Sequence, residues 1–375
     1  MRILVAGGGT GGHFYPALAI CEGLRRQYPH ARFAYVGTRK GIEARVLPSY
    51  PWIRFHPILA RGLWRGRPLK NAIAATHLVL GTVQSLWLLL TFRPQLVIGV
   101  GGYASFAPVV LSAWAGRWLP VRTVIHEQNV IGGRANRRLS RFVDLVMLSF
   151  AQSERSFPKA RKLVVTGNPI REEFLHVQRT PEIYRAFGLD PDRRTILVFG
   201  GSNGAAEITD QILHGMGEIA RNPDLQILLI TGDQDSERSI RAQLDSSGVG
   251  NVVVRGYVHQ MGAAFAIADL VVCRAGATSL AEITSCGKAS VLVPWKDSAD
   301  DHQRKNAEIM REECACAVAD EEVIVRHGLV DVMLGQIGDE LGLERLADNA
   351  RRLGHRRADA LILGEIGSLM REVRP

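Results

Sequence analysis

The chain has 375 residues, 46% of them hydrophobic and 22% charged, with a formal net charge of +9; this suits two globular domains and anionic partners such as nucleotides, pyrophosphates or acidic lipid headgroups. Its five cysteines, Cys21, Cys273, Cys286, Cys314 and Cys316, make no CxxC pair and no even framework, which argues against a disulfide scaffold and against a zinc site. The basic residues lack interleaved aromatics and any base-reading motif, so nucleic acid is not an expected partner.

The N-terminus, Met1 to Ala6, runs directly into a strand-like segment, with no basic region and apolar core of a leader ahead of it. Gly7-Gly8-Gly9-Thr10-Gly11-Gly12 follows, then a helical stretch from His13 to Leu24. Such a loop lets backbone N–H groups approach an anion at a helix N-terminus without Cβ clashes. Gly7, Gly9 and Gly12 also satisfy G-x-G-x-x-G, a dinucleotide fingerprint when an acid closes the second strand. Here that strand ends Val36-Gly37-Thr38-Arg39-Lys40, with no acid before Glu43. NAD is disfavoured; Arg39 and Lys40 leave NADP open, and a tight turn that binds nothing is also open.

Arg61, Arg65, Arg67 and Lys70 surround Leu63, Trp64 and Leu69, just ahead of the apolar stretch Asn71–Phe92. The segment reads either as a basic loop beside a core helix or as a contact for an anionic bilayer. The window Ala72–Phe92 contains His77, Gln84 and Ser85, so a buried or surface-seated helix is expected rather than a spanning one.

Short β-branched runs recur: Ile3–Ala6, Phe33–Val36, Leu96–Val100, Thr123–Ile125, Leu145–Leu148 and Leu163–Val165. After the polar stretch Glu172–Arg194 they restart as Ile196–Phe199, Ile227–Ile230, Val252–Val254, Leu270–Cys273 and Val291–Val293. Such runs mark parallel strands buried on both faces. The expectation is an α/β chain of two Rossmann-like doubly wound domains facing a cleft: residues 1–165, a linker over 166–194, residues 195–340, and terminal helices over 341–375 that pack back on the first domain. Arg351, Arg352, Arg356 and Arg357 in that tail read as a solvated helix face.

Further glycine loops, Gly99-Val100-Gly101-Gly102 and Gly200-Gly201-Ser202-Asn203-Gly204-Ala205, also sit at strand ends, where open α/β sheets bind ligands. Asp233-Gln234-Asp235 follows another strand and reads as a turn rather than a metal site. Beyond Leu270–Cys273, the small residues of Arg274-Ala275-Gly276-Ala277-Thr278-Ser279 open a helix that can hold a phosphate. Glu282, near its first turn, is either a carboxylate complementing the helix dipole or an acceptor for both ribose hydroxyls of a nucleotide. The polar loop Asp300-Asp301-His302-Gln303, followed by Asn306, suits a hydroxyl-rich ligand.

Gly8-Gly9-Thr10-Gly11-Gly12-His13, Gly101-Gly102-Tyr103-Ala104-Ser105, His126-Glu127-Gln128-Asn129, Gly167-Asn168-Pro169-Ile170-Arg171, Gly200-Gly201-Ser202-Asn203-Gly204-Ala205 and Arg274-Ala275-Gly276-Ala277 with Glu282 occur in one order. From Arg2 to about Ala358 the chain thereby resembles glycosyltransferase family 28, of GT-B architecture. The resemblance implies an inverting, metal- and cofactor-free transfer of N-acetylglucosamine from UDP-N-acetylglucosamine to the C4 hydroxyl of undecaprenyl-linked N-acetylmuramoyl-pentapeptide (lipid I to lipid II) in peptidoglycan synthesis. It implies peripheral attachment at the cytoplasmic face of the inner membrane, which favours the bilayer reading of Arg61, Arg65, Arg67 and Lys70. It places Thr10, Gly11 and Gly12 near the donor diphosphate and sugar, Asn129 on the sugar, and Arg171, Ser202 and Gln303 on the donor. Val258 would meet the uracil through its backbone. Ala277, Thr278, Ser279, Leu280 and Ala281 would hold the phosphates and ribose, with Glu282 on the ribose hydroxyls. Asn203 and Ser279 depart from the glutamine and threonine usual there. His13 is the first candidate for the base, since an ordinary imidazole titrates at about 6.5; it could instead only orient the loop. His126 and Glu127 are second candidates. An NADP-linked oxidoreductase and a non-catalytic UDP-sugar-binding protein stay open as alternatives.

Overall fold

The computed structural model describes residues 1–61, 68–176, 178–201 and 205–372, with 68–73 and 299 described by backbone alone. The chain forms two compact units, Met1–Ile170 with Arg357–Pro375, and Arg171–Arg356.

The first unit holds β1 (Arg2–Ala6), β2 (Arg32–Gly37), β3 (Ile53–Pro57), β4 (Leu96–Gly99), β5 (Arg122–Glu127), β6 (Leu145–Leu148) and β7 (Leu163–Val165). They make a seven-stranded sheet in the order β3-β2-β1-β4-β5-β6-β7, parallel throughout. The order reverses beside β1, and both glycine loops of this unit leave the strands flanking that switch point, β1 and β4. One face is covered by the helix Gly11–Gln27, through Phe14, Leu18 and Leu24, and by the terminal helix Ala358–Arg371, through Ile362, Ile366 and Leu369. The other face packs against Leu88 and Val109, from the helices Pro68–Phe92 and Tyr103–Ala115. The strand β3 had no counterpart among the expected runs. It is an edge strand, Ile-Arg-Phe-His-Pro, in which arginine, histidine and proline interrupt the apolar run, as an edge position tolerates.

The helix Pro68–Phe92 comes between β3 and β4 in the chain, and Leu88 in its C-terminal half packs into the first unit's core. Its inner side is fixed closely. Leu59 N–H donates to Gln84 Oε1 at 2.8 Å, and a Cβ at Gly81 would stand 2.1 Å from the Leu59 carbonyl oxygen. Ala74, Ser85 and Leu88 are buried. Its outer side leaves Val79, Val83, Trp87 and Leu90 more than half exposed. Despite the polar residues within it, Ala74–Phe92 is long and apolar enough to cross a bilayer by length and composition, and 17% of it is buried.

The second unit holds β8 (Arg194–Phe199), β9 (Leu225–Ile230), β10 (Val252–Arg255), β11 (Leu270–Cys273), β12 (Ala289–Leu292) and β13 (Ala317–Val318). Their order is β10-β9-β8-β11-β12-β13, again parallel. Residues of β8, β9, β11 and β12 pack with Ile208, Ile212, Ile240 and Leu329 in its core. The tail is divided. The helix Glu340–Leu353 packs on the helix Ala277–Cys286 and on β12, whereas Ala358–Arg371 packs on Gly11–Gln27 in the first unit. Arg351, Arg352, Arg356 and Arg357 are exposed.

Candidate functional site

In the first unit the two glycine loops lie against each other. Gly8 and Gly102 have φ of +137° and +78°, and a Cβ at Gly102 would stand 2.7 Å from the Gly8 carbonyl oxygen. Only glycine takes these angles at such closeness. Beneath the first loop lies Glu43, which is fully buried. Its carboxylate accepts from Gly9 N–H at 3.0 Å, Thr38 N–H at 2.7 Å and the Thr38 hydroxyl at 3.0 Å. Glu43, which follows the second strand rather than closing it, folds back under the loop. A carboxylate on Gly9 is an obstacle to a pyrophosphate over Gly7–Gly9, which removes the footing of the dinucleotide reading. Arg39 and Lys40 point into solvent.

Thr10 caps the helix Gly11–Gln27 and is exposed; Gly11 and Gly12 form its first residues. His13, in that same turn and partly exposed, places Nδ1 3.1 Å from Gln128 Oε1. A Cβ at Gly101 would lie 3.0 Å from the ring's Cε1, so the second loop makes room for the imidazole. His126 and Glu127 close β5 and are buried. His126 Nε2 is 3.0 Å from the Gly167 carbonyl oxygen, and its Nδ1 is 3.1 Å from Gln128 Nε2. Burial pushes the His126 imidazole down to about 4, against the opposing pull of that carbonyl. The Glu127 carboxylate accepts from Asn129 N–H (3.1 Å), Asn129 Nδ2 (3.3 Å), Gly133 N–H (2.8 Å) and Asn136 Nδ2 (2.9 Å). Its lone pairs are occupied in holding the loop after β5, and so in setting Asn129. The structure therefore gathers His13, His126, Glu127 and Asn129, and adds Glu43, Gln128 and Asn136.

In the second unit, Gly276 caps the helix Ala277–Cys286. Ala277, Thr278, Leu280 and Glu282 are buried, while Ser279 and Ala281 are partly exposed. Leu280 belongs to the interior, so only its backbone is available to a ligand. Arg171 Nη2 lies 3.2 Å from Glu282 Oε1, its Nη1 2.6 Å from Glu173 Oε1, and its guanidinium 4.9 Å over the Phe174 ring. Burial pushes Glu282 up to about 7, against the pull of Arg171 and with the repulsion of Glu173. Glu173 is likewise raised by burial. One guanidinium thus serves two carboxylates, both of them raised by burial. Gln303 Oε1 accepts from Trp295 N–H at 3.0 Å, and Asn306 Nδ2 donates to the Ala275 carbonyl at 3.1 Å; both pin loops at the ends of β11 and β12. Val258 follows β10 and is partly exposed. Arg274 pairs with Glu207. Ser202, Asn203 and Gly204 lie outside the described residues, as do Arg65, Arg67 and the side chain of Lys70. Asp233 is a helix N-cap and not a plain turn, accepting from Ser236 N–H at 2.8 Å. Among the described residues no group of three or more His, Cys, Asp or Glu could hold a metal ion.

Residues 3–148 match the glycosyltransferase family 28 N-terminal domain, and residues 195–361 its C-terminal domain. Proteins named UDP-N-acetylglucosamine--N-acetylmuramyl-(pentapeptide) pyrophosphoryl-undecaprenol N-acetylglucosamine transferase are similar over nearly the whole chain. That of Citrifermentans bemidjiense is 40% identical, covering 94% of this chain and 95% of its own. That of Desulforudis audaxviator is 35% identical, covering 98% of each. Among solved structures, Acinetobacter baumannii MurG is similar with a TM-score of 0.69 at 24% identity, covering 98% of this chain and 99% of its own. Anabaena Alr3699/HepE, in complex with UDP and glucose, has a TM-score of 0.60 at 15% identity, covering 98% and 99%. Both structures share the two-domain α/β fold, and with the two matched domains the chain belongs to glycosyltransferase family 28.

Proposed function

We propose that the chain transfers N-acetylglucosamine from UDP-N-acetylglucosamine to the C4 hydroxyl of undecaprenyl-linked N-acetylmuramoyl-pentapeptide, with inversion. One observation carries the reading. The chain is 40% identical over 94% of its length to a transferase so named, and a histidine with Nδ1 engaged at the first glycine loop and a buried carboxylate on the helix Ala277–Cys286 agree with it.

The donor belongs to the second unit. The N-terminus of Ala277–Cys286 suits the diphosphate, through the backbone of Ala277 to Ala281. Glu282 accepts from the two ribose hydroxyls, and Arg171 keeps a guanidinium beside that carboxylate. Ser202, Val258 and Gln303 complete the donor contacts. In the first unit, Thr10, Gly11, Gly12 and Asn129 face the sugar and diphosphate. His13 takes the proton of the C4 hydroxyl as that oxygen bonds to the anomeric carbon. The bond from that carbon to the diphosphate oxygen breaks, and UDP leaves with the electron pair. Backbone N–H groups and the helix dipole receive its charge, so the step needs no metal. His126 and Glu127 support rather than react, since both are buried and engaged.

The lipid-linked acceptor calls for a membrane seat. The outer side of Pro68–Phe92 exposes Val79, Val83, Trp87 and Leu90, and the helix packed beside it, Tyr103–Ala115, exposes Trp114. Tryptophans at the rim of an apolar face suit a headgroup boundary. Exposed Arg61, together with Arg65, Arg67 and Lys70 in the sequence, adds attraction to acidic lipid. A helix whose inner side is held against the protein at Gly81, Ser85 and Leu88 suits a seat on the bilayer.

Calorimetry tests the donor. UDP-N-acetylglucosamine should bind and NADPH should not, and Glu282→Ala should weaken the sugar nucleotide by about 1–3 kcal/mol, the cost of leaving buried polar partners unpaired. Unchanged donor affinity in the variant would remove Glu282 from the site.

A further inference from the structure

We propose that Gln128 and His126 form a neutral positioning relay that fixes the tautomer of His13 and leaves its Nε2 as the atom that accepts the substrate proton. The proposal rests on the reading of His13 as base and adds how that base is set.

Two backbone carbonyls determine the whole chain of hydrogen bonds, because a carbonyl oxygen only accepts. The Gly167 carbonyl lies 3.0 Å from His126 Nε2, so that nitrogen carries the proton. Gly167 turns its carbonyl there from the left-handed region, at φ +80°. His126 is buried, which keeps the ring neutral at working pH. Its Nδ1 is therefore a lone pair. Facing that lone pair is one end of the Gln128 amide, 3.1 Å from Nδ1 and 3.1 Å from the His126 carbonyl oxygen. Both are acceptors, so this end is the NH2 group and the other end is the oxygen. That oxygen sits 3.1 Å from His13 Nδ1. His13 must then donate from Nδ1, and in the neutral ring Nε2 is the unprotonated nitrogen. The Asn136 amide holds the scaffold from the side, donating to the His126 carbonyl at 3.2 Å and to Glu127 Oε2 at 2.9 Å.

This relay differs from a carboxylate–histidine pair in one respect. The amide oxygen orients the imidazole and accepts from the imidazolium formed on reaction, but carries no charge. During transfer the C4 hydroxyl proton moves to Nε2, the C4 oxygen bonds to the anomeric carbon, and UDP departs; Nδ1–H remains on Gln128 throughout. Gln128 and His126 are positioning residues and touch no reacting atom.

The test is nitrogen NMR of the full chain labelled with 15N-histidine, with UDP-N-acetylglucosamine bound. The relay predicts His13 as the neutral Nδ1–H form and His126 as the neutral Nε2–H form. His13 as the Nε2–H form, or His126 protonated where the enzyme works, overturns it. Gln128→Met, similar in size but with no amide, should release the His13 tautomer and lower kcat about 10- to 100-fold, the scale on which partners of a ligand imidazole act, with donor Kd unchanged. Gln128→Glu keeps an acceptor for His13 Nδ1–H and should recover part of that loss. Gln128→Met with wild-type kcat and an unchanged tautomer also overturns the relay. Wild-type turnover by His13→Ala would sink the base reading itself, whereas an inactive His13→Ala beside the wrong wild-type tautomer would sink only the relay.

Discussion

At the scale of single residues the proposal assigns the acceptor proton to His13 and the ribose hydroxyls to Glu282. If His13 takes the acceptor proton, His13→Ala should lower kcat by about 10² to 10⁴, while donor Kd stays near that of the wild type. A parallel loss of donor affinity would instead make His13 a loop residue. Glu282 brings a pH dependence. Its folded pKa of about 7 lies above the ordinary 4.5, so below 7 it is protonated and loses one acceptor for the ribose hydroxyls. Donor affinity should therefore rise with pH up to about 7 and then level, at most tenfold per pH unit on the rising limb, and Glu282→Gln should flatten it. For stability the sign is opposite: an acid with a raised folded pKa stabilises fully below its unfolded value and loses that contribution as pH rises through about 7. A donor titration that is flat from pH 6 to 8 in the wild type would contradict this role. His13 and Glu282 could be singled out as candidates because each sits at a fixed offset from a strand and the loop that follows it. Glu43 and Gln128 were not. Glu43 reaches Gly9 across 34 positions and Gln128 reaches His13 across 115, and no local pattern encodes such pairs.

Elements read differently from residues. Most strands announce themselves as continuous apolar runs, the edges β7 and β10 included, whereas β3 and β13 do not: one is mixed in character and the other two residues long. The helix Pro68–Phe92 was visible as an apolar stretch, but its two-sidedness was not, because apolar residues line both faces. The sheet decides which side is inner, through Gly81 and Ser85. Replacing Val83, Trp87 and Leu90 by glutamine should cut binding to anionic vesicles at least about tenfold, since each fully buried apolar side chain of this size contributes about 1.5–3 kcal/mol. Turnover of a soluble acceptor analogue should persist. Equal vesicle binding by wild type and variant would place the membrane seat elsewhere.

The two-unit organisation follows from the restart of the strand rhythm after Arg194, and the structure supplies the boundaries. The first unit ends at Ile170, and the chain returns to it at Arg357. The tail could not be divided from sequence, since both of its helices are amphipathic and either could have packed on either unit. Ile366 is fully buried in the first unit's core. Ile366→Ala should cost about 2–5 kcal/mol, read as a lower unfolding midpoint in calorimetry, while donor binding by the second unit is retained. A wild-type midpoint would contradict the docking of that helix. The central claim, transfer to a lipid-linked sugar, is tested most directly with radiolabelled UDP-N-acetylglucosamine and an undecaprenyl-type N-acetylmuramoyl-pentapeptide acceptor. The account predicts label in a β-linked disaccharide lipid, formed with release of UDP, without added metal, and lost in His13→Ala. Binding of the sugar nucleotide with no label in the lipid fraction would contradict it.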